Sequence, residues 1–478
     1  MAAVVSTNSY PRRRRLDAVT GLHGLDRPRR REARVALAAC LVAFAGYAFI
    51  ALHGAIGSTI QIEHIDLNVY RAGARAVLDG ADLYGTLPAA APGIDLPFTY
   101  PPIAALLLTP LAVLPSALDA LIALSTTVLL LGYVQRTVLR TIGRPSGAML
   151  NWSMLIAMPA ALILDPVRIA LADGQIDVLL MALVVADTLG SGIRIGGRQH
   201  RGVLVGLAAA VKLTPAVFVL YYLVRGDRRA AATSAASFAA FTGLGALMAP
   251  RDSSEYWLHA VFQTDRIGAI WYAANQSLEA VLARFGLTGH ALSLCWLLGC
   301  VLVIALARIT MRRAAAFGTP VGVLLLNALA ELLISPISWT HHWVWIAPTV
   351  VALGASAQHG APRHIRHLAV IAFAAFALGP QWLLPHGGNR ELRWALWEQI
   401  LGGTYVWFGL TVLVAVAFTR RPSPVPNRRC PHTPPHKTKA LATIPARCAG
   451  DDEPLAADGL ATLATGLARG KTVVRVGD

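Results

Sequence analysis

The chain has 478 residues, of which 55% are hydrophobic and only 14% are charged. A soluble domain carries about 25% charged residues, so the composition excludes an ordinary soluble enzyme and a disordered protein and indicates a polytopic membrane protein. The net charge of +16 does not indicate a nucleic-acid partner, because no RNA- or DNA-binding motif accompanies it and most of the excess lies in two tails.

The two basic tails flank the apolar part of the chain. Residues 1–34 hold nine Arg against three acids, and residues 420–478 hold ten Lys or Arg against five acids. Because Lys and Arg collect on the cytoplasmic side of membrane proteins, we predict a basic cytoplasmic N-terminal tail over 1–32 and a membrane domain over 33–420. The remainder, 421–478, begins with clustered prolines and is predicted to be a disordered cytoplasmic tail.

Apolar segments recur along the membrane domain. Since a span needs about 20 apolar residues, they predict an all-α bundle of about twelve transmembrane or re-entrant helices. An even count places both tails on one side, which their Arg content identifies as the cytoplasm. Two segments, 100–115 and 202–224, are interrupted by proline and either span or re-enter the membrane. The predicted segments are 33–56, 100–115, 117–139, 149–165, 175–190, 202–224, 231–249, 290–310, 320–336, 341–357, 366–384 and 399–419.

Two outward loops, 57–99 and 250–289, are long enough to carry function. In the first loop, apolar residues at helical spacing between Leu67 and Leu78 predict a short amphipathic helix on the outer leaflet, with Asp66 at its N-cap. Asp66 either caps this helix, which stabilises it by about 1 kcal/mol, or removes a proton from a substrate hydroxyl group at the membrane boundary.

Lys212 is the only lysine that precedes the C-terminal tail, and it lies in an apolar segment next to Pro215. An ionisable residue within a membrane segment is a functional candidate by default. Lys212 either reaches an interface with its ammonium group or binds a phosphate group.

The second outward loop contains Arg266, Asn275 and Gln276. Asn275 and Gln276 either contact sugar hydroxyl groups or belong to a plain polar loop. Further along, three Trp and the pair His341 and His342 cluster where a helix leaves the membrane. An interfacial aromatic belt explains the Trp, whereas the paired His indicate a phosphate or hydroxyl contact. We predict no metal site, because no further ligands stand at suitable spacing.

Together these motifs resemble the actinobacterial polyprenol-phosphate-mannose-dependent alpha-1,2-mannosyltransferases, which have the GT-C membrane fold and build phosphatidylinositol mannosides, lipomannan and lipoarabinomannan. The resemblance covers about residues 33–420. The residues that carry it are Asp66 to Tyr70, Leu78 to Gly80, Leu83, Tyr84, Pro97 to Pro102, Gly174, Gln175, Lys212 to Pro215, Ser335, Pro336, His341 and His342.

The resemblance implies a periplasmic active site between two long periplasmic loops, in a multi-pass plasma-membrane enzyme. It implies mannose on a polyprenyl phosphate as donor and a mannosylated glycolipid as acceptor, with Asp66 as the catalytic acid. Either His341 or His342 matches the family's late histidine. Lys212, Arg266, Tyr70, Tyr100 and Gln175 are then expected to bind the donor, together with Asn275 and Gln276.

A beta-linked donor and an alpha-linked product require one inverting displacement. Such a step needs a base for the acceptor proton, which is assigned to Asp66, and cations for the departing phosphate. No nucleotide-binding loop is present and no cofactor is expected, although the sequence leaves the help of a divalent ion open. The alternatives are arabinofuranosyl transfer from decaprenyl-phosphate-arabinose and a lipid-linked sugar transporter; the chain lacks the internal repeats of many transporters.

Overall fold

The computed structural model describes residues 64–143, 145, 147–358 and 363–418. The predicted span 33–56 and both predicted tails therefore lie outside the described residues. Within the described part the chain is almost entirely helical. The α-helices in chain order are α1 Ile65–Asp79, α2 Pro102–Leu107, α3 Thr109–Val113, α4 Ser116–Gly143, α5 Gly147–Ile163, α6 Asp165–Asp173, α7 Asp177–Thr188, α8 Val203–Val211, α9 Val219–Val224, α10 Arg228–Met248, α11 Pro250–Leu258, α12 Leu278–Arg284, α13 Gly289–Ala316, α14 Pro320–Ile334, α15 Ile346–Gln358, α16 Arg363–Leu378, α17 Leu396–Gly402 and α18 Thr404–Phe418.

Short 3₁₀ helices connect several of these elements. They are Thr214–Phe218, Ala260–Phe262, Thr264–Ile267, Thr340–Trp345, Pro380–Leu383 and Arg390–Arg393. The second long loop, 250–289, which the sequence predicts to carry function, contains α11, α12 and two 3₁₀ helices. This ordered structure explains how the loop can form part of a cavity wall.

Three helices in the described part are long and apolar enough to cross a membrane, namely α4, α10 and α13. Two bent pairs, α5 with α6 at 72° and α17 with α18 at 73°, raise the number to five if each pair is one span. The protein is therefore a helical, multi-pass membrane protein. The predicted count of about twelve transmembrane or re-entrant helices is not confirmed, because most of the other predicted segments form shorter or broken helices.

Both proline-interrupted segments are broken in the structure. The first divides into α2 and α3 at Leu108. The second stops at Val211, and Lys212 adopts an extended conformation before the 3₁₀ helix that contains Pro215. Proline lacks the backbone N–H of a helical ladder and disfavours helical geometry in the residue before it. The break turns the Lys212 side chain out of the helical run.

A small antiparallel hairpin, which the all-α prediction missed, joins α7 to α8. Its strands are β1 Ile193–Ile195 and β2 Arg198–His200, with Ile195 opposite Arg198. The two turn residues, Gly196 and Gly197, have φ values of 56° and 76°. Such a two-residue turn requires positive φ at both positions, which glycine adopts without strain.

Helix α1 differs from its prediction in two respects. It begins at Ile65, one residue before Asp66, because the N-cap is His64, whose carbonyl accepts the first helical hydrogen bond from the N–H of Asn68. Asp66 is thus in the first turn and is not the N-cap. The apolar face, with Leu67 and Tyr70, is buried against α2, α3 and α6 instead of lying on the outer leaflet.

Close helix packing supports the bundle around the site. Helix α8 lies directly against α10, and α13 lies against α14. A Cβ atom at Gly206 would come within 2.4 Å of the carbonyl oxygen of Ser234 in α10. A small residue there allows the backbones of the two helices to touch, as is common between membrane helices. Arg71 of α1 forms an ion pair with the buried Asp119 of α4.

Candidate active site

A cavity of about 880 Å³ lies between the two long loops, 64–99 and 250–289. It is lined by α1, the segment before α2, the turn between α6 and α7, the break after α8, the second long loop and the 3₁₀ helix at 340–345. Seven of the residues predicted from the sequence line it: Asp66, Tyr100, Gln175, Lys212, Arg266, His341 and His342. The structure therefore gathers candidates that are separated by up to 276 positions.

Asp66 lies in the first turn of α1, half-buried at the cavity wall. Removal from water disfavours a carboxylate, and burial raises the pKa of Asp66 to about 6. A hydrogen bond from the Gln175 side chain acts in the opposite direction, whereas the nearby Asp177 carboxylate adds to the rise. A carboxyl group with such a pKa is ionised at neutral pH and basic enough to accept a proton.

The turn between α6 and α7 brings Asp173 and Gln175 to this wall and places Asp177 next to Lys212. Gly174 makes the turn possible because its φ is 71° and because a Cβ atom there would approach Cβ of Leu67 to 2.7 Å. Only glycine satisfies both conditions. The turn thus sets the distance between α1, which carries Asp66, and the acids of α6 and α7.

Lys212 is buried and does not reach an outer surface. Its Nζ lies 2.7 Å from Oδ1 of Asp177 and 3.0 Å from Nε2 of His342, and the ammonium group stands 5.6 Å from the centroid of the Tyr100 ring. An ammonium group has only hydrogens to donate, so His342 accepts through Nε2 and is neutral. The structure thus favours a buried, paired Lys212 over one that reaches an interface.

The two adjacent histidines occupy different environments. His342 is tied to Lys212, and a backbone hydrogen bond to Ile337 holds its ring. His341 lies between two acids, with Nδ1 3.8 Å from Oδ2 of Asp173 and Nε2 3.9 Å from Oδ2 of Asp177. Both distances are too long for a hydrogen bond. Nε2 of His341 is buried without a hydrogen-bond partner. His341 is therefore the histidine with a ring nitrogen available to a ligand.

Two overlapping groups of side chains have ligand types that suit a divalent cation. One is Asp177, His341 and His342, and the other is Asp66, Asp173 and His341. Within each group the ligand atoms all lie within 4.8 Å of one another. The sequence could not indicate these groups by spacing, because each one combines residues from separate helices. In the first group, Lys212 already occupies one oxygen of Asp177 and Nε2 of His342.

Three predicted site residues have structural contacts and do not line the cavity. The hydroxyl group of Tyr70 donates to Oε1 of Gln175 at 2.7 Å and lies 3.1 Å from the Tyr100 hydroxyl, so Tyr70 supports two cavity residues from behind. The amide of Asn275 donates to two carbonyl oxygens and accepts from the N–H of Ser338. Gln276 donates to the carbonyl oxygens of Ala273 and Gly402. Asn275 and Gln276 thus join the second loop to neighbouring segments.

Arg266 lines the cavity as predicted. Its Nη2 donates to the carbonyl oxygen of Tyr84 at 2.8 Å and so links the two long loops. A guanidinium group has five hydrogens to donate in a fixed fork. Arg266 can therefore hold this link and still offer hydrogens to an anion in the cavity.

Comparison with known proteins identifies the family. The model of glycosyltransferase family 87 matches residues 98–336. A curated relative from Mycobacterium tuberculosis (strain ATCC 25618 / H37Rv) is 40% identical over 379 residues, which cover 76% of this chain and 87% of the relative. The chain belongs to glycosyltransferase family 87. The family 87 protein is thus a glycosyltransferase, and the resemblance expected from its motifs is confirmed.

The relatives of the family 87 protein have specific names. The one from M. tuberculosis is a "Polyprenol-phosphate-mannose-dependent alpha-(1-2)-phosphatidylinositol mannoside mannosyltransferase". Another, from Mycolicibacterium smegmatis (strain ATCC 700084 / mc(2)155), is 33% identical over 75% of this chain and 86% of its own length, and its name specifies a phosphatidylinositol pentamannoside. A crystal structure of ArnT from Cupriavidus metallidurans bound to undecaprenyl phosphate also matches, with 16% identity, 77% and 78% coverage and a TM-score of 0.36.

Sequence reasoning did not identify Glu331, an acid in the site of this family 87 protein. Glu331 lies in the apolar helix α14, lines the cavity and is buried. Its side chain hydrogen-bonds to Thr214 and interacts electrostatically with Lys212. A signal was present in the sequence, because Glu331 is the only charged residue of α14, and acids in apolar segments usually face a wet cavity or a partner.

Proposed function

We propose that this family 87 glycosyltransferase moves mannose from polyprenyl-phosphate-mannose to a phosphatidylinositol mannoside and forms an alpha-1,2 linkage. The observation that carries the proposal is the placement of the Asp66 carboxyl and the Lys212 ammonium on the walls of one cavity. The names of the relatives from the two mycobacteria support the choice of donor and acceptor.

The transfer is one displacement at the anomeric carbon. The acceptor hydroxyl oxygen attacks this carbon, the bond to the phosphate oxygen breaks, and the configuration changes from beta to alpha. Asp66 takes the proton of the hydroxyl group, which a general base must remove as the new bond forms. The electron pair of the broken bond goes to the polyprenyl phosphate.

The departing phosphate gains negative charge and needs preorganised cations or donors. Lys212, Arg266 and His341 are the candidates on the cavity wall. Lys212 is the strongest of them, because Asp177 and His342 hold its ammonium group in place before the donor enters. A fixed cation stabilises developing charge without having to reorganise.

The reaction is proposed to proceed without a metal ion. Lys212 supplies a cation where a metal on Asp177 and His342 would stand. A metal ion on Asp66 and Asp173 would stabilise the Asp66 carboxylate and make it a weaker base for the proton. The side chains of both candidate metal groups therefore serve the proposed reaction better when no metal ion is bound.

In the proposed topology, residues 33–420 form the catalytic domain of the GT-C type, with about twelve transmembrane or re-entrant helices. Its cavity faces the periplasm between the two long loops, and residues 1–32 and 421–478 extend into the cytoplasm. The distribution of Arg among the loops and tails supports this orientation. A lipid-linked donor fits it, because the polyprenyl chain stays in the membrane while its phosphate enters the cavity.

The test is transfer by membranes that contain the full-length protein. Radiolabelled polyprenyl-phosphate-mannose is supplied with a panel of phosphatidylinositol mannosides, and the products are analysed for their linkage. An alpha-1,2-linked mannose added to one of these lipids is expected. Transfer from decaprenyl-phosphate-arabinose instead would identify an arabinofuranosyltransferase, and movement of intact donor without a product would identify a transporter.

A further inference from the structure

We infer that the segment 383–400 is a docking surface for the anionic phosphate of the acceptor's phospholipid headgroup. The inference rests on the proposed function, since it requires an acceptor that is a phosphoglycolipid. The segment includes the 3₁₀ helix Arg390–Arg393 and most of α17. We call it the rim segment.

The rim segment exposes large apolar side chains. Leu383 is 69% exposed, Leu396 67% and Trp397 62%, and Leu392 and Ile400 are also exposed. Exposed apolar residues in a cluster mark a protein or membrane contact. Tryptophan is enriched where protein meets the membrane–water interface, so the composition of this cluster suits a lipid headgroup region.

The fully exposed charged groups of the rim segment are basic. Arg390 and Arg393 are exposed. The segment also contains two acids, of which Glu391 is buried and Glu398 is half-buried at the start of α17. Glu391 is 1% exposed and accepts from the N–H groups of Ala273 and Gly387, and Glu398 accepts from the N–H of Ala395. Two guanidinium groups beside an apolar cluster match an anionic phosphate above acyl chains, because arginine pairs with phosphate through two hydrogens.

The shape of the segment agrees with a position at the membrane surface. Helix α17 is bent from α18 by 73°. Helix α18 is apolar, so this bend lets it enter the membrane while α17 lies along the surface. Leu396, Trp397 and Ile400 are all on the exposed side of α17, whereas Gln399 is buried. The strength with which such an apolar helix face binds a membrane surface increases with its apolar area.

The rim segment is joined to the cavity by direct contacts. The indole N–H of Trp271 donates to Oδ1 of Asn389 at 3.0 Å. The next residue, Tyr272, lines the cavity, and its ring contacts those of Trp382 and His386. Trp382 lines the same cavity. A lipid held by its phosphate at the rim segment would therefore present its sugars toward Asp66.

The experiment compares two acceptors that differ in the phosphate. One is a phosphatidylinositol mannoside, and the other is a neutral mannosylated diacylglycerol of the same acyl length. The test variant is the double substitution Arg390→Gln with Arg393→Gln in the full-length protein. The matched control is Arg194→Gln with Arg198→Gln, which removes two arginines from the β1–β2 hairpin, away from the cavity lining.

For the test variant, we expect KM for the phosphatidylinositol mannoside to rise about tenfold, which corresponds to about 1.4 kcal/mol. KM for the neutral lipid, KM for the donor and kcat should stay within about twofold of the wild-type values. The wild-type preference for the anionic acceptor should weaken at high salt, since exposed charges are screened. The control variant should match the wild type with both acceptors.

Three results would overturn the inference. An unchanged KM for the anionic acceptor in the double variant would show that the two arginines do not bind this acceptor. Equal rises for both acceptors would show that the phosphate is not recognised, and a rise in KM for the donor would place the donor phosphate there instead. If the wild-type protein transfers no mannose to either acceptor, the proposed function itself is wrong, and the docking inference fails with it.

Discussion

The ammonium group of Lys212 lies 2.7 Å from Oδ1 of Asp177, and both side chains are buried. The pair connects the break after α8 to the first residue of α7. Removal of one partner from a buried pair leaves an uncompensated charge and costs about 3–5 kcal/mol. The pair therefore has two roles, because it stabilises the cavity wall and places a cation at the proposed phosphate site.

Substitution of Lys212 separates these roles. Lys212→Met should lower kcat/KM for the donor by about 10²–10³, the usual effect of losing one stabilising group of the transition state. Lys212→Arg keeps the charge and should retain part of the activity, and acceptor KM should change little in either variant. The measurement is steady-state kinetics with each substrate varied in turn.

The control for Lys212→Met is the double variant Lys212→Met with Asp177→Asn, which removes both charges. It should unfold at a higher temperature than the single Met variant, because no buried carboxylate is left unpaired. Its donor kinetics should remain as poor. Normal donor kinetics in either variant would contradict a phosphate contact by Lys212.

The pH dependence of transfer should follow Asp66. Because burial raises its pKa to about 6, the base is protonated and inactive below that pH and ionised above it. We expect kcat/KM to rise about tenfold per pH unit below pH 6 and to become level above pH 7, as measured across a buffer series of constant ionic strength.

Asp66→Asn removes the base, so its residual activity should be lower by at least about 10²-fold and should lack the acid limb. The fold should survive, since Asp66 makes no cap bond in α1. A variant that retains more than a few per cent of wild-type activity, or that shows the same acid limb, would place the base elsewhere.

Much of the scaffold follows from the sequence alone. The predicted segments 117–139 and 290–310 correspond to α4 Ser116–Gly143 and α13 Gly289–Ala316. Long apolar runs can be recognised because burial in a membrane demands length and hydropathy that few other structures need. The broken segment around Pro215 could be recognised for a similar reason, since proline acts on its immediate neighbours.

The partners of the polar site residues could not be predicted in the same way. Asp177 stands 35 positions before Lys212, and nothing in their local sequences links them. The polar side chain of Asn275 is of a type that suits a sugar site, yet its amide group donates hydrogen bonds to backbone carbonyl oxygens. Such pairings depend on distances between segments, and those distances arise only when the helices pack.

Chelation tests the proposal that no metal takes part. Treatment of the solubilised enzyme with EDTA, followed by gel filtration into metal-free buffer, should leave at least about 80% of the rate, because Lys212 supplies the cation near the phosphate. Added Mg²⁺ or Mn²⁺ should not raise the rate, and elemental analysis should find less than one equivalent of metal. Loss of activity that one metal alone restores would contradict the metal-free reaction.

Sidedness can be measured by thiol labelling in intact cells. Single cysteines replace two exposed residues near the cavity, Asp82 and Asn389, and one exposed residue of the hairpin, Arg198, in a background without the five native cysteines. An impermeant maleimide should label the first two positions in intact cells and Arg198→Cys only after permeabilisation. Protection of either cavity-side cysteine would contradict a periplasmic site.

A final prediction concerns the contact of α1 with the segment before α2. A Cβ atom at Gly73 would lie 2.4 Å from the ring of Phe98, so Gly73→Ala must displace this ring or the helix. Phe98 is fully buried and packs against Tyr100, which lines the cavity. Overpacking of this kind costs about 1–3 kcal/mol, and it should move the cavity wall relative to Asp66.

We therefore expect Gly73→Ala to lower the melting temperature and to reduce kcat, as measured by thermal unfolding in detergent and by transfer assays. The matched control is Gly243→Ala in α10, where a new Cβ atom meets nothing within 4 Å. Alanine favours a helix over glycine by about 0.5–1 kcal/mol, so the control should be equally or more stable and fully active. Equal behaviour of the two variants would show that α1 and Phe98 are not in tight contact, and the distance between Asp66 and the opposite wall would then have to be set by other contacts.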